Sequence, residues 1–556
     1  MTKRFIIVFP VLFFLYACSG GGGGGGTPAP TPAPAEPVPL PIDVLDSVPD
    51  ATTSLAAHQM TGFSVIHATQ ADATFELDLD CGDLETLTVR RSLVDLADED
   101  VDQLVDHKFS CNELAANTSY SVTVDESRSN GDLLQGVISF QSDDSTMSVS
   151  VLADQFVQKS DVNDLFTDYI NAVLVDEFDL DLITELLLLP VIIDLLTTEW
   201  DNLADPNTRY DVISQRVQYA SIQPDGSYSM SLTGLVAFPD VGDLDAFEKR
   251  GEVILLNHAT GSTPSEMDSD NAWFILAELL AGQGYLVVAA DNFGRGGTED
   301  SPETYLQGNR TGINSVDLLR AVTESGDYDS VFETEAPVDV DIIGYSQGGH
   351  SAIASWLELV RHHGQRFQTR VVHSGGAPYD VYRTFRGVMQ QIAGTCNDDG
   401  YCRLVESDVL VPFATDRILP GLLAYVDVGL SEADLIAGEE LDSDFVTGFI
   451  EQDADYDDLK SSLQLNSYTN VVNAEEVFQD ALVDINLYHS EYDRLVPVDN
   501  SLDFFDAIDG NVQSTLHDDH CNGTGFQLIF ESIDKVGVIH TLCALNVLNE
   551  VFDQLR

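Results

Sequence analysis

Positive charge is scarce in this 556-residue chain: 25 Lys+Arg stand against 93 Asp+Glu, a formal charge of −68. A field of that sign repels nucleic acid and strongly anionic polymers, which excludes DNA and RNA as partners. The surplus carboxylates read instead as a hydrated surface suited to salty surroundings, where counterions screen the self-repulsion. Calcium-loop spacing is also missing. No Asp-rich stretch carries the spaced ligands and glycine of such a loop, and Glu76-Leu77-Asp78-Leu79-Asp80 sets its carboxylates on alternate positions, as the wet face of a strand does. Neither conspicuous apolar stretch has the makeup of a membrane span. Phe5 to Leu15 is too short, and Leu186 to Leu196 is interrupted by Pro190 and Asp194, which makes it a buried packing segment or, as the alternative, an interfacial patch.

What is present is globular composition, 44% hydrophobic and 9% aromatic, over a length that suggests about two to four units. The first unit concerns export. Lys3 and Arg4 precede the apolar run, and Leu15-Tyr16-Ala17-Cys18 follows it. This segment, residues 1–18, resembles the signal and lipobox of bacterial lipoproteins, which implies a lipid on Cys18 and membrane attachment through it. Ser19 in the next position resembles the outer-membrane sorting pattern, so the expected location is the outer membrane of a Gram-negative bacterium. Setting Cys18 aside leaves Cys81, Cys111, Cys396, Cys402, Cys521 and Cys543, an even number in an exported chain, which favours disulfides over metal ligation. Neighbour pairing is expected: 81 with 111, 396 with 402, 521 with 543.

Residues 19–55, rich in Gly and then Pro, read as a tether. Residues 56–145 alternate apolar and polar positions between polar turns and predict a small β-sandwich. Within it, Leu114 to Tyr120 ahead of an alternating strand resembles the late part of a fibronectin type III domain, in which such a tyrosine closes a corner; a spacer is the expected role. Residues 146–207 read as a helical connecting segment. From 208 to 556, apolar strands alternate with amphipathic helices, predicting an α/β domain with a mostly parallel sheet covered on both faces.

Chemistry concentrates in Gly344-Tyr345-Ser346-Gln347-Gly348, which occurs once and lies between the predicted strand Val338 to Ile343 and a helix carrying Ile353, Trp356, Leu357 and Val360. A serine hydroxyl becomes a nucleophile on a tight turn beside a base, with backbone donors ready for an oxyanion. Ser346 is the candidate nucleophile. On such a scaffold the acid and base follow the serine in the chain. Asp493, in the loop after the strand Ile485 to His489, is the candidate acid. His540, at the head of the last helical pattern, is the candidate base, with His517 and His520 as rivals; His350 and His489 read as neighbours of the turn and strand. The oxyanion donors are expected to be the backbone N–H groups of Gln347 and of Thr260, the latter replaceable by Ala259. His258 reads as structural. No metal and no cofactor is called for.

Asn257-His258-Ala259-Thr260-Gly261, Gly284-Tyr285 with Ala290 to Gly294, Gly344 to His350, and Gly375-Gly376-Ala377-Pro378-Tyr379-Asp380 together resemble the secretory lipases of the lipase A type, α/β-hydrolases. The resemblance implies cleavage of carboxylic esters, with an ester or lipid substrate, and a helical cap inserted at about 379–473, in which Ile418 to Val428 would line an acyl pocket. His258-Ala259 departs from the commoner His-Gly form of the oxyanion loop. Two other functions fit parts of the pattern: a serine peptidase of the prolyl oligopeptidase type, which needs a propeller ahead of the core, and an idle surface-binding lipoprotein.

Overall fold

The computed structural model describes residues 39–48, 55–56, 62–98, 101–111, 114–142, 148–178, 200–224, 226–242, 247–396, 400–403, 407–479, 482–518 and 536–555. The leader, Cys18, the tether up to 38, the run Leu186 to Leu196, His520 and Cys521 lie outside the described residues.

A nine-stranded mixed sheet forms the centre. Its strands in chain order are β1 (Val149–Val157), β2 (Val212–Ile222), β3 (Tyr228–Pro239), β4 (Glu252–Asn257), β5 (Leu286–Ala290), β6 (Val338–Tyr345), β7 (Phe367–Gly375), β8 (Asp484–Tyr488) and β9 (Gln513–His517). They lie side by side as β1-β2-β3-β5-β4-β6-β7-β8-β9, antiparallel from β1 to β5 and parallel from there to β9. The α/β expectation is met in this mostly parallel sheet. Strands such as Val253-Ile254-Leu255-Leu256 carry no polar face because both faces are covered.

Period two then sorts the core into layers. Val253 and Leu255 pack with α3 (Gly308–Glu324) and α4 (Gln347–His362), through Val316, Leu319, Ile353 and Trp356. Ile254 and Leu256 face the other way, onto α2 (Ala272–Gly282) and the last helix, α9 (Val536–Leu555), which share a cluster with Val162 and Phe166 of α1 (Lys159–Phe178). Every β4 residue from Val253 to Leu256 is fully buried, so each side chain contributes about 1.5–3 kcal/mol by removal from water. Helix α2 starts where Asn271 caps it, its side chain accepting from the N–H groups of Trp273 and Phe274 at 3.0 and 3.4 Å.

Between β7 and β8 the chain leaves the sheet to build a helical insertion that includes α5 (Val381–Ile392), α6 (Ser443–Ile450) and α7 (Asp457–Leu465). It has a core of its own, with Phe385, Leu419, Leu422, Val428, Phe445 and Phe449. The helix α8 (Asp499–Ile508) follows β8.

The N-terminal strands form two sheets of five and four strands that enclose one cluster, with Phe63 and Phe109 from one sheet and Val122, Val124 and Phe140 from the other. Cys81 and Cys111 are bridged, as are Cys396 and Cys402. The Tyr120 hydroxyl accepts from the Ala115 N–H at 2.8 Å, which pins the corner before its strand.

Two boundaries differ from the sequence reading, and one contact was not foreseen. Strands begin at Leu40 and Val44, inside the expected tether. Val149–Val157, expected to be helical, is the edge strand of the main sheet; exposed on both faces over most of its length, it shows no burial pattern to read. The N-terminal unit is also not held away from the rest. Residues 470–472 pair with its strand Leu84–Ser92: Ser92 donates to the Asn470 carbonyl and Val472 to the Arg90 carbonyl, both at 2.9 Å, around an antiparallel bridge of Arg91 with Val471. Asp95 then accepts from the Tyr382 hydroxyl of the insertion at 2.8 Å. Contacts between residues so far apart in the chain leave no trace in local composition.

Candidate active site

Register brings the predicted residues together. Asn257 is level with Gly344, Tyr345 with Gly375, and Gly375 with Tyr488. The loops that leave β4, β6 and β8 therefore emerge at one edge of the parallel sheet, the usual place for a site in such sheets.

Ser346 occupies the single residue between β6 and α4, at φ 58° and ψ −124°. That backbone region is strained for a residue with a side chain and persists where surrounding structure enforces it. Its N–H donates to the Gly375 carbonyl at 2.8 Å. The flanking glycines are demanded by close approach: a Cβ on Gly344 would overlap the Gly348 carbonyl, and one on Gly348 would overlap the Asn257 carbonyl.

Asp493 is fully buried, in the loop between β8 and α8. Its Oδ1 accepts from the N–H groups of Leu495 and Val496 at 2.9 and 3.0 Å, and its Oδ2 from His540 Nδ1 at 2.6 Å. Burial by itself would raise this carboxyl, but His540 and then His489 beside it outweigh burial and hold it well below the usual carboxylate range. His489 is itself fixed, Nδ1 accepting from Ser501 Oγ at 2.6 Å and Nε2 donating to the Val496 carbonyl at 2.9 Å.

With Nδ1–H committed to Asp493, His540 presents Nε2 as an acceptor, and that nitrogen has no hydrogen-bond partner among the described residues. His540 and Ser346 both line a cleft of about 740 Å³, a volume in the range of small-molecule sites. Thr260 and Ala259 line the same cleft. Their loop is held by Arg295, which donates to the Gly261 carbonyl and to Thr263 Oγ1, by the Tyr305 hydroxyl 2.9 Å from Thr260 Oγ1, and by His258, whose ring nitrogens lie 3.0 and 3.1 Å from the carbonyls of Ala259 and Asp291. Gln347 begins α4, where the first N–H groups have no partner within the helix.

His517 and His350 stand apart from this arrangement. His517 stacks on Tyr488 and lies 3.2 Å from Asn486 Oδ1. His350 is buried, meets the Asn466 carbonyl at 2.9 Å, and is pushed down to about 4 by burial. Among the described residues no group of three His, Cys, Asp or Glu side chains could hold a metal ion.

One expectation about the walls fails. Leu419, Leu422 and Val428 are buried in the insertion's own core, and the insertion meets the cleft through Pro412, Phe413, Asp416 and Arg417. The apolar run was legible, but which core it fills is a tertiary matter. The long apolar wall comes from α9 itself, where Thr541, Ala544, Leu545 and Leu548 continue from His540 along one face, opposite Tyr169 and Trp273.

Sequence reasoning missed Glu303, in the loop after β5. Its Oε1 accepts from Gln347 Nε2 at 2.6 Å and its Oε2 from Arg417 Nη1 at 2.8 Å. A lone Glu in an acidic chain gives no signal.

No family model and no curated protein matches the chain. Among solved structures it is similar to the rice cell wall degrading esterase LipA from Xanthomonas oryzae, at 20% identity over 65% of this chain and 94% of that one, with a TM-score of 0.44. A hydrolase from Legionella pneumophila gives 18% over 65% and 94%, TM-score 0.44. A puromycin-hydrolyzing peptidase from Mycobacterium tuberculosis gives 12% over 58% and 44%, TM-score 0.29. Likeness this distant says nothing of substrate, and the site is read from its own geometry.

Proposed function

We propose that the chain is a carboxylic ester hydrolase of the α/β-hydrolase type that works through a Ser346–His540–Asp493 triad and an acyl-enzyme. One observation carries the reading: His540, its Nδ1 held by Asp493 and its Nε2 without a hydrogen-bond partner among the described residues, lines the same cleft as Ser346 on its strained turn. His540 takes the Ser346 proton as Oγ attacks the ester carbonyl, then gives it to the leaving alcohol as the C–O bond breaks. Water repeats the sequence and frees the acid. Asp493 holds the ring in the required tautomer and stabilises the imidazolium. The Gln347 N–H, with Thr260 or Ala259, receives the oxyanion.

The helical insertion serves as the cap, and the apolar wall of α9 supports an ester with an apolar substituent. The two N-terminal sheets, with the Tyr120 corner, are read as a fibronectin type III-like sandwich. Their facing sheets are not blades around a channel, which weighs against the prolyl oligopeptidase reading. On the strength of Leu15-Tyr16-Ala17-Cys18 we place the enzyme on a lipid anchor at the outer membrane.

The test is hydrolysis of p-nitrophenyl esters of graded chain length by the purified full chain in detergent, beside Ser346→Ala. Turnover that vanishes in the variant, with an unchanged circular dichroism spectrum, is the expected result; full activity without Ser346 removes the reading.

A further inference from the structure

Glu303 places a carboxylate next to the residue that receives the oxyanion, where a bare negative charge would oppose the charge that develops on the substrate. Its surroundings resolve the conflict. Glu303 is 8% exposed and Gln347 1%, so neither relies on water. One carboxylate oxygen grips the Gln347 side chain at 2.6 Å and the other the Arg417 guanidinium at 2.8 Å. Arg417 comes from the π-helical turn Ala414–Ile418 of the insertion and lines the cleft. The three residues come from three separate segments of the chain.

We propose that Glu303 is a positioning residue that fixes the oxyanion-binding peptide of Gln347, and that Arg417 is the insertion's contribution to catalysis, cancelling the charge of Glu303. This inference rests on the oxyanion role given to Gln347 above. Gln347 directly follows the strained Ser346, so tethering its side chain also holds the peptide between them. The insertion thereby does more than wall the cleft. Withdrawal of Arg417 leaves an uncompensated anion beside the oxyanion site, so a displaced insertion switches the site off even with the triad intact.

The test is a rescue. In the full chain, Arg417→Met should lower kcat on a p-nitrophenyl ester about tenfold while KM changes less than about threefold. Adding Glu303→Gln should restore most of that loss, because the neutral amide still accepts from Gln347 and no longer needs a cation. A purely structural role predicts the opposite, a double variant as poor as Arg417→Met or worse, and that result overturns the proposal, as does an effect on KM alone. The same order is expected for phosphonylation of Ser346 by a fluorophosphonate, in which Oγ–P forms, P–F breaks and the serine proton passes to His540. This second readout needs no ester turnover. A wild type that is labelled but cleaves no ester removes the esterase function while the rescue still decides for or against Glu303, and a wild type that is not labelled removes both.

Discussion

Histidine meets buried carboxylate both in the N-terminal sandwich and at the cleft, and the two places differ in what the histidine has left to offer. In the N-terminal sandwich, His67 and His107 are both fully buried and set Nε2 against Nε2 at 3.1 Å. His107 Nδ1 meets Thr88 Oγ1 at 2.9 Å, and His67 Nδ1 faces Glu126 at 3.6 Å. Burial lowers His67 although Glu126 opposes it, and burial with the neighbouring His67 and Arg90 takes His107 well down. Every ring nitrogen there has a partner. At the cleft, His540 has the same kind of carboxylate partner, leaves one nitrogen without a partner among the described residues, and shares the cleft wall with Ser346. The residue types alone do not make a site. The proposal rests on the acceptor that His540 keeps unspent in the cleft it shares with Ser346.

The contrast is broken most sharply by removing each histidine in turn. His540→Ala should reduce kcat by a factor of about 10⁴ or more, while His67→Ala leaves kcat within about twofold; steady-state hydrolysis of one p-nitrophenyl ester measures both. Equal losses would mean that the sandwich cluster reaches the chemistry. Asp493→Asn should come next, at roughly 10³–10⁴ in kcat, because the amide favours the wrong tautomer of His540.

Urea midpoints sharpen the comparison from the side of stability. His67→Ala should cost about 2–4 kcal/mol through lost packing and unpaired neighbours. For Asp493 the sign follows from its folded pKa lying below the unfolded one, about 3.9. The stabilisation is complete above that value and is lost as pH falls from it toward the folded pKa. The gap in stability between wild type and Asp493→Asn should therefore shrink as pH falls below about 4.

A third buried carboxyl gives the smallest effect. Glu278 in α2 has the Ser214 hydroxyl at 3.1 Å, and burial raises it to about 7 in spite of that bond. Here the folded state holds the proton longer than the unfolded one, so stability falls as pH rises from about 4.3 to 7. Glu278→Gln should flatten that slope by up to about 3 kcal/mol across the window, read as Tm against pH at fixed salt.

How much of this was legible depends on whether the signal is local. Ser346 could be read because its turn demands glycines on both sides, and Asp493 and His540 because chain order on such a sheet limits the candidates. Gln347 and Thr260 were named from their loops, and one directly follows Ser346 while the other lines the cleft. The strand Val149–Val157 was not legible, since an edge exposed on both faces carries no periodicity. Glu303 and Arg417 gave no sign either, being ordinary charges until the fold sets them beside Gln347. The apolar run from Ile418, expected to line an acyl pocket, fills the insertion's own core instead.

Pairing of residues 470–472 with the strand Leu84–Ser92 also sets a schedule. Arg90 and Asn473 meet across 383 positions of sequence, and closing so large a loop is an entropic cost that must be met before the contact returns anything. Until the insertion is in place, the outer edge of that strand stands open to any other extended chain. Refolding should therefore end in a slow docking phase during which self-association competes, and dilution should favour the native product over aggregates.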